Sequence, residues 1–158
     1  MNKFISLFII FLLSFPLFSS NYSLLIGDIT KEELFSSNTT FHKNYLSYQV
    51  NELEMQVDQE GLSIKILFGT WCHDSQREVP KILKLLDEIN FQSNMISLIG
   101  LNYQKNEPLN RARIFNVKKT PTIIFFRHEK EIGRIVETPD LTMEESAIAI
   151  LKVINSIS

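Results

Sequence analysis

The chain holds a single cysteine, Cys72, within the run Trp71-Cys72-His73-Asp74-Ser75. The thiolate form of cysteine is the nucleophile, and its chemistry is exchange with disulfides. Such a sulfur needs a positive field. The residues before it, 62–69 (LSIKILFG), form a β-rich apolar run. Those after it, 73–90, place Val79, Ile82, Leu83, Leu86 and Ile89 on one helical stripe. Cys72 therefore falls where a strand turns into a helix. In a first helical turn its sulfur faces free backbone N–H groups and the positive end of the helix dipole, and both favour the thiolate. A protonated His73 pushes the same way and Asp74 the other, with a net balance toward thiolate. The bland alternative is a buried, inert cysteine. Trp71 and the strand–helix junction argue instead for an exposed sulfur.

The elements that must hold this turn follow the hydrophobic pattern. Residues 95–103 (MISLIGLNY) predict a second strand and Pro108 to Phe115 a short helix. Residues 122–127 and 132–137 predict an antiparallel hairpin. Thr142-Met143-Glu144-Glu145 is a capping box, opening a last helix with Ala147, Ile150, Leu151, Ile154 and Ile157 on one face. The order from residue 62 is β-α-β-α-β-β-α. Its first two strands should be parallel, joined by a right-handed crossover. The result is an α/β fold: a mixed sheet of four to five strands with helices on both faces. Upstream, Val50, Leu53 and Val57 predict a helix over 47–60, stopped by Gly61. The domain is thus expected to span 47–158. Residues 21–46 read as a polar, irregular extension, with a short helix started by the Thr30 capping box. Asn21 and Asn38 head Asn-x-Ser/Thr sequons, a signal that arises often by chance.

Residues 1–20 hold Lys3, no acid and five of the twelve phenylalanines. A short basic start, an apolar stretch and small Ser19–Ser20 read as a signal peptide. An uncleaved membrane anchor is the rival, disfavoured because the apolar run is shorter than the roughly 20 residues a spanning helix needs. The protein is therefore expected to be exported, periplasmic or secreted, where thiols tend to be oxidised. Without Lys3 the balance is 15 basic to 18 acidic residues, and no basic stripe points to nucleic acid. A single cysteine builds neither a disulfide scaffold nor a zinc finger, and His42 and His128 are too scattered for a metal site. No cofactor and no metal are expected. Arg77 and Glu78 read as a solvated charged pair.

The segment Trp71 to Ser75 resembles the active-site turn of thioredoxins, Trp-Cys-x-x-Cys. Pro80, five residues after Ser75, matches the proline of the thioredoxin active-site helix. Leu101-Asn102 and a polar loop resemble the end of that family's next strand, and Thr120-Pro121-Thr122 its cis-proline segment. The resemblance covers roughly residues 60–158. The string from Gly69 to Pro80 looks like an exported bacterial subgroup with Cys-x-Asp-Ser in place of Cys-x-x-Cys. The resemblance implies a thioredoxin-like three-layer sandwich with Cys72 as nucleophile. It implies that Trp71, His73 and Asp74 line the site, and that the Thr120 backbone, turned out before a cis Pro121, pairs with an extended substrate as a strand edge does.

Two residues depart from the pattern. Ser75 stands where a dithiol thioredoxin carries its resolving thiol, and a hydroxyl can only hydrogen-bond the Cys72 sulfur. A mixed disulfide at Cys72 then persists until an outside thiol resolves it. Ile66 occupies the position of the family's buried carboxylate, and both an altered exchanger and a protein without redox function would lose that acid. The leading expectation is single-cysteine thiol–disulfide exchange with disulfide-bearing proteins or small thiols such as glutathione. The competing expectation is a redox-inactive module that binds peptides or proteins. A one-cysteine peroxidase is disfavoured, because Trp71 directly before Cys72 does not resemble a peroxidatic turn.

Overall fold

In the computed structural model, residues 24–51 and 57–155 are described. The leader at 1–20, the Asn21 sequon, Leu53 and Ile157 lie outside the described residues.

The elements in order are β1 (Gly27–Ile29), α1 (Lys31–Ser37), α2 (Thr39–Ser47), β2 (Leu62–Phe68), α3 (His73–Glu88) and β3 (Ile96–Gly100). They continue as α4 (Arg111–Ile114), β4 (Thr122–Arg127), β5 (Lys130–Val136) and α5 (Met143–Asn155). The sheet runs β1-β3-β2-β4-β5. β2 and β3 are parallel, as a strand–helix–strand crossover requires. β4 pairs antiparallel with both β2 and β5, and β1 pairs antiparallel with β3. This is a thioredoxin-like α/β sandwich with a five-stranded mixed sheet. The fifth strand is the N-terminal β1.

Side chains alternate across β2 and so serve two layers. Ile64, Ile66 and Phe68 join α1, α2, α3 and α5 on one face, where Leu34, Phe41, Val79, Leu86, Met143 and Leu151 complete the core. Leu67 points to the other face and packs with Ile99, Ile124, Phe126 and Ala112 of α4.

Two expectations upstream fail. The stretch 21–46 is not an irregular extension where it is described: it supplies β1, α1 and α2. Its polar surface hid the residues that dock it most deeply, Leu34 and Phe41, both fully buried. The helix expected over 47–60 is absent from its described parts. Helix ends at Ser47, and residues 48–51 and 57–59 are not helical. Val50 and Val57 instead pack singly against the core. Gly61 is not a helix stop either. It turns the chain into β2 at φ +66, with the His128 ring so close that a Cβ would sit 2.4 Å from it. Asn38, read as a sequon, is the N-cap of α2. It is buried, and its Oδ1 accepts from the Thr40 and Phe41 amides. The capping boxes at Thr30 and Thr142 are both formed.

Candidate active site

The site is assembled at the C-terminal end of β2. Cys72 is the N-cap of α3, half-buried and unpaired. Its amide donates to the Gly69 carbonyl at 3.0 Å, and its carbonyl accepts from the Gln76 amide at 2.9 Å. These two bonds close the turn and start the helix. Sixteen residues of helix stand behind the sulfur, so the dipole's positive end is well developed there.

The thiol donates to the Thr120 carbonyl at 3.2 Å. The Thr120–Pro121 bond is cis, and both residues are buried. The turn and the β4 approach, 48 residues apart in sequence, therefore meet at the sulfur. Pro121 is held in turn by its carbonyl, which accepts the Glu137 amide at 2.8 Å.

Trp71 directly precedes Cys72 in the turn. Its indole N–H donates to the Leu101 carbonyl at 3.0 Å, and its ring lies 5.1 Å from that of Tyr103. A Cβ on Gly69 would come within 2.5 Å of the indole, so only glycine admits the ring at this distance. Leu24, Thr70, Gln76 and the two aromatics line a pocket of about 290 Å³. The larger cavity of about 460 Å³, beside Lys31 and Asp87, is lined by none of the site residues.

Ser75 does not contact Cys72 by any hydrogen bond among the described residues. It is fully buried, and its Oγ accepts the Gly69 amide at 3.3 Å. The reason is helical geometry. Side chains lean toward the helix N-terminus, so a first-turn residue facing the core meets the end of β2. His73 is exposed. Asp74 accepts from the Arg77 guanidinium at 2.7 Å. The expected solvated Arg77–Glu78 pair is half wrong. Glu78 is buried, and its carboxylate lies 2.6 Å from Arg77 and 3.1 Å from Lys81. Two cations offset the cost of burying it. Arg77 also reaches Thr138, tying α3 to the chain after β5.

Sequence reasoning missed the support from α2. Asn44 donates from Nδ2 to the Gln76 carbonyl at 2.8 Å, and Gln76 Nε2 donates to the Thr70 carbonyl at 2.9 Å. The Phe41 ring packs 5.7 Å from Phe68, three residues before the turn begins at Trp71. The one readable signal was the Asn-Thr-Thr-Phe cap at 38–41.

No family model matches the chain. A thioredoxin-like protein of Acanthamoeba polyphaga mimivirus is 25% identical over 91 residues. That match covers 58% of this chain and 64% of the viral protein, less than two thirds of its length. Among solved structures, Fasciola hepatica thioredoxin aligns with a TM-score of 0.44 and 21% identity, over 61% of this chain and 84% of that one. Thioredoxin-2 of a malaria parasite gives 0.45 and 25%, over 65% and 89%.

Chemically, the arrangement offers one sulfur at a helix N-terminus and one peptide edge beside it. The Thr120 N–H has no hydrogen-bond partner among the described residues. The sequence holds no second cysteine thiol to finish a two-thiol cycle.

Proposed function

We propose that this protein acts in single-cysteine thiol–disulfide exchange outside the cytoplasm, its substrates being disulfide-bearing proteins or small thiols of the glutathione type. The observation that carries the reading is the meeting of Cys72, at the start of α3, with the Thr120–Pro121 edge. The Cys72 thiolate attacks one sulfur of a disulfide. A bond from Sγ to that sulfur forms, the S–S bond breaks, and the departing thiolate keeps the electron pair and takes a proton from solvent. Ser75 is pinned to Gly69 and cannot carry out the return attack, so an external thiol completes the cycle. Trp71 and Tyr103 form one wall and the Thr120 backbone the other, while His73 and Asp74 border the opening. Export rests on the character of residues 1–20.

Intact-mass measurement after incubation with glutathione disulfide tests this. The expected result is one glutathionyl group on Cys72 and none on Cys72→Ser. An unmodified wild-type chain, with alkylation no faster than in urea, overturns it.

One observation favours a second reading. The thiol proton is spent on the Thr120 carbonyl, which also suits a groove used for binding alone. Under that reading Cys72→Ser retains partner capture; under exchange it abolishes it.

A further inference from the structure

The chain is acidic overall, yet residues 101–121 run against that balance. They hold Lys105, Arg111, Arg113, Lys118 and Lys119 and a single acid, Glu107. Two of the five cations are neutralised locally. Arg111 is shared by Glu107 and Asp28, and Lys119 is paired with Glu137 at 2.6 Å. Lys105, Arg113 and Lys118 have no ion pair or side-chain hydrogen bond among the described residues. All three line one open pocket of about 420 Å³, together with Gln104, Asn106 and Asn116.

Two stretches of chain connect the pocket to the surroundings of the sulfur. Tyr103, one residue before Gln104, packs at a tilt against Trp71. Lys118 stands two residues before Thr120, the thiol's partner, a span of at most roughly 7 Å. Uncompensated charge of one sign in a concave site attracts an opposite charge and raises the rate of encounter.

We propose that this pocket docks an acidic segment of the protein whose disulfide Cys72 engages. The inference rests on the exchange reading and names its partner class. The amide side chains between the cations can bond peptide groups, which favours a peptide over a bare phosphate.

Two measurements separate the inference from the reading beneath it. In the first, anisotropy follows a dye-labelled oligoglutamate peptide and its glutamine counterpart on the full chain. Wild type is expected to favour the glutamate peptide by about tenfold at low salt, and to lose the preference as salt rises. Lys105→Gln/Arg113→Gln/Lys118→Gln together removes the preference, while Lys130→Gln does not. Equal binding of both peptides, or an unchanged triple variant, overturns the proposal. Tighter binding of tripolyphosphate or an oligodeoxythymidylate at the same residues also overturns it, in favour of a phosphate ligand. In the second, the same peptides carry one cysteine activated as a mixed disulfide with thionitrobenzoate. Cys72 forms the protein–peptide disulfide and releases the coloured thiolate. A faster reaction of the acidic peptide supports docking. No release with either peptide defeats the exchange reading, whereas anisotropy still decides the pocket.

Discussion

The two faces of the sheet are built on different terms. Among the described residues, α1, α2, α3 and α5 and a cluster of twenty buried apolar residues lie over one; the single turn of α4 and a cluster of seven lie over the other. The thick face fixes the Cys72 turn by packing, through Phe68, Phe41 and the buried side of α3. The thin face adds charged contacts to its smaller apolar cluster. Glu107 is buried and accepts from the Arg111 guanidinium and from the Leu109 amide at 3.0 Å. Lys65, in the middle of β2, lies over the rings of Phe115 and Phe126 at 5.9 and 5.6 Å. Apolar packing is indifferent to pH and salt in a way that charge is not. The same sheet should therefore fail differently from its two sides.

The largest effect is expected on the thick side. Phe41→Ala opens a cavity beneath Phe68 and should cost about 3–5 kcal/mol by urea unfolding. It should also loosen the Asn44–Gln76 tie and speed alkylation of Cys72. A cost under about 1 kcal/mol would show that α2 is an appendage, not part of the core. On the thin side, Glu107→Gln keeps shape and removes charge, at an expected cost of about 2 kcal/mol. Burial pushes the Glu107 carboxyl up, but the Arg111 guanidinium and the Leu109 and Arg111 amides outweigh it and hold it below the usual carboxylate range. A lowered value in the folded state makes its contribution complete above the ordinary value of 4.5. That contribution is lost as pH falls through the folded-state value. The variant should accordingly show a shallower loss of stability on the acid side. An unchanged acid limb would remove charge as the thin face's support.

This contrast explains what could be read in advance. From residue 62 onward the order of elements was legible, because each strand and helix carries its own apolar period: Ile64–Ile66–Phe68 on β2, Val79–Ile82–Leu83–Leu86 on α3. Cys72 and Thr120–Pro121 were legible as candidates, and the structure brings the Cys72 thiol to the Thr120 carbonyl. The N-terminal layer was not, because its apolar residues are spread over a short strand and two short helices split at Asn38. Leu34 and Phe41 lie on different helices and make no single period. Val50 and Val57 suggested one, yet neither lies in a helix. The roles of Ser75 and Glu78 were misread for a shared reason: burial is a property of the assembled turn, and nothing local marks either residue as facing inward.

Where the thick face meets the site, Ser75→Ala tests the smaller of those corrections. It strands the buried Gly69 amide and should cost about 1–2 kcal/mol. Because Ser75 bonds Gly69 and not the sulfur, the second-order rate of iodoacetamide with Cys72 should stay within about twofold of wild type. A large rate change with little loss of stability would restore Ser75 as a direct partner of the thiolate.

The smallest effect probes the thin face most directly. Lys65 sits on β2 between buried Ile64 and Ile66 and points away from them, toward Leu67's side of the sheet. A cation at the centre of a strand is tolerated only where its head reaches water or an aromatic face. Lys65→Met keeps most of the stem and deletes the charge. If the face is open, the loss of the ring contacts should cost about 0.5–1 kcal/mol. If the face is closed as firmly as its opposite, the same change relieves a buried charge and stabilises the protein. A gain in stability would therefore erase the difference between the two faces.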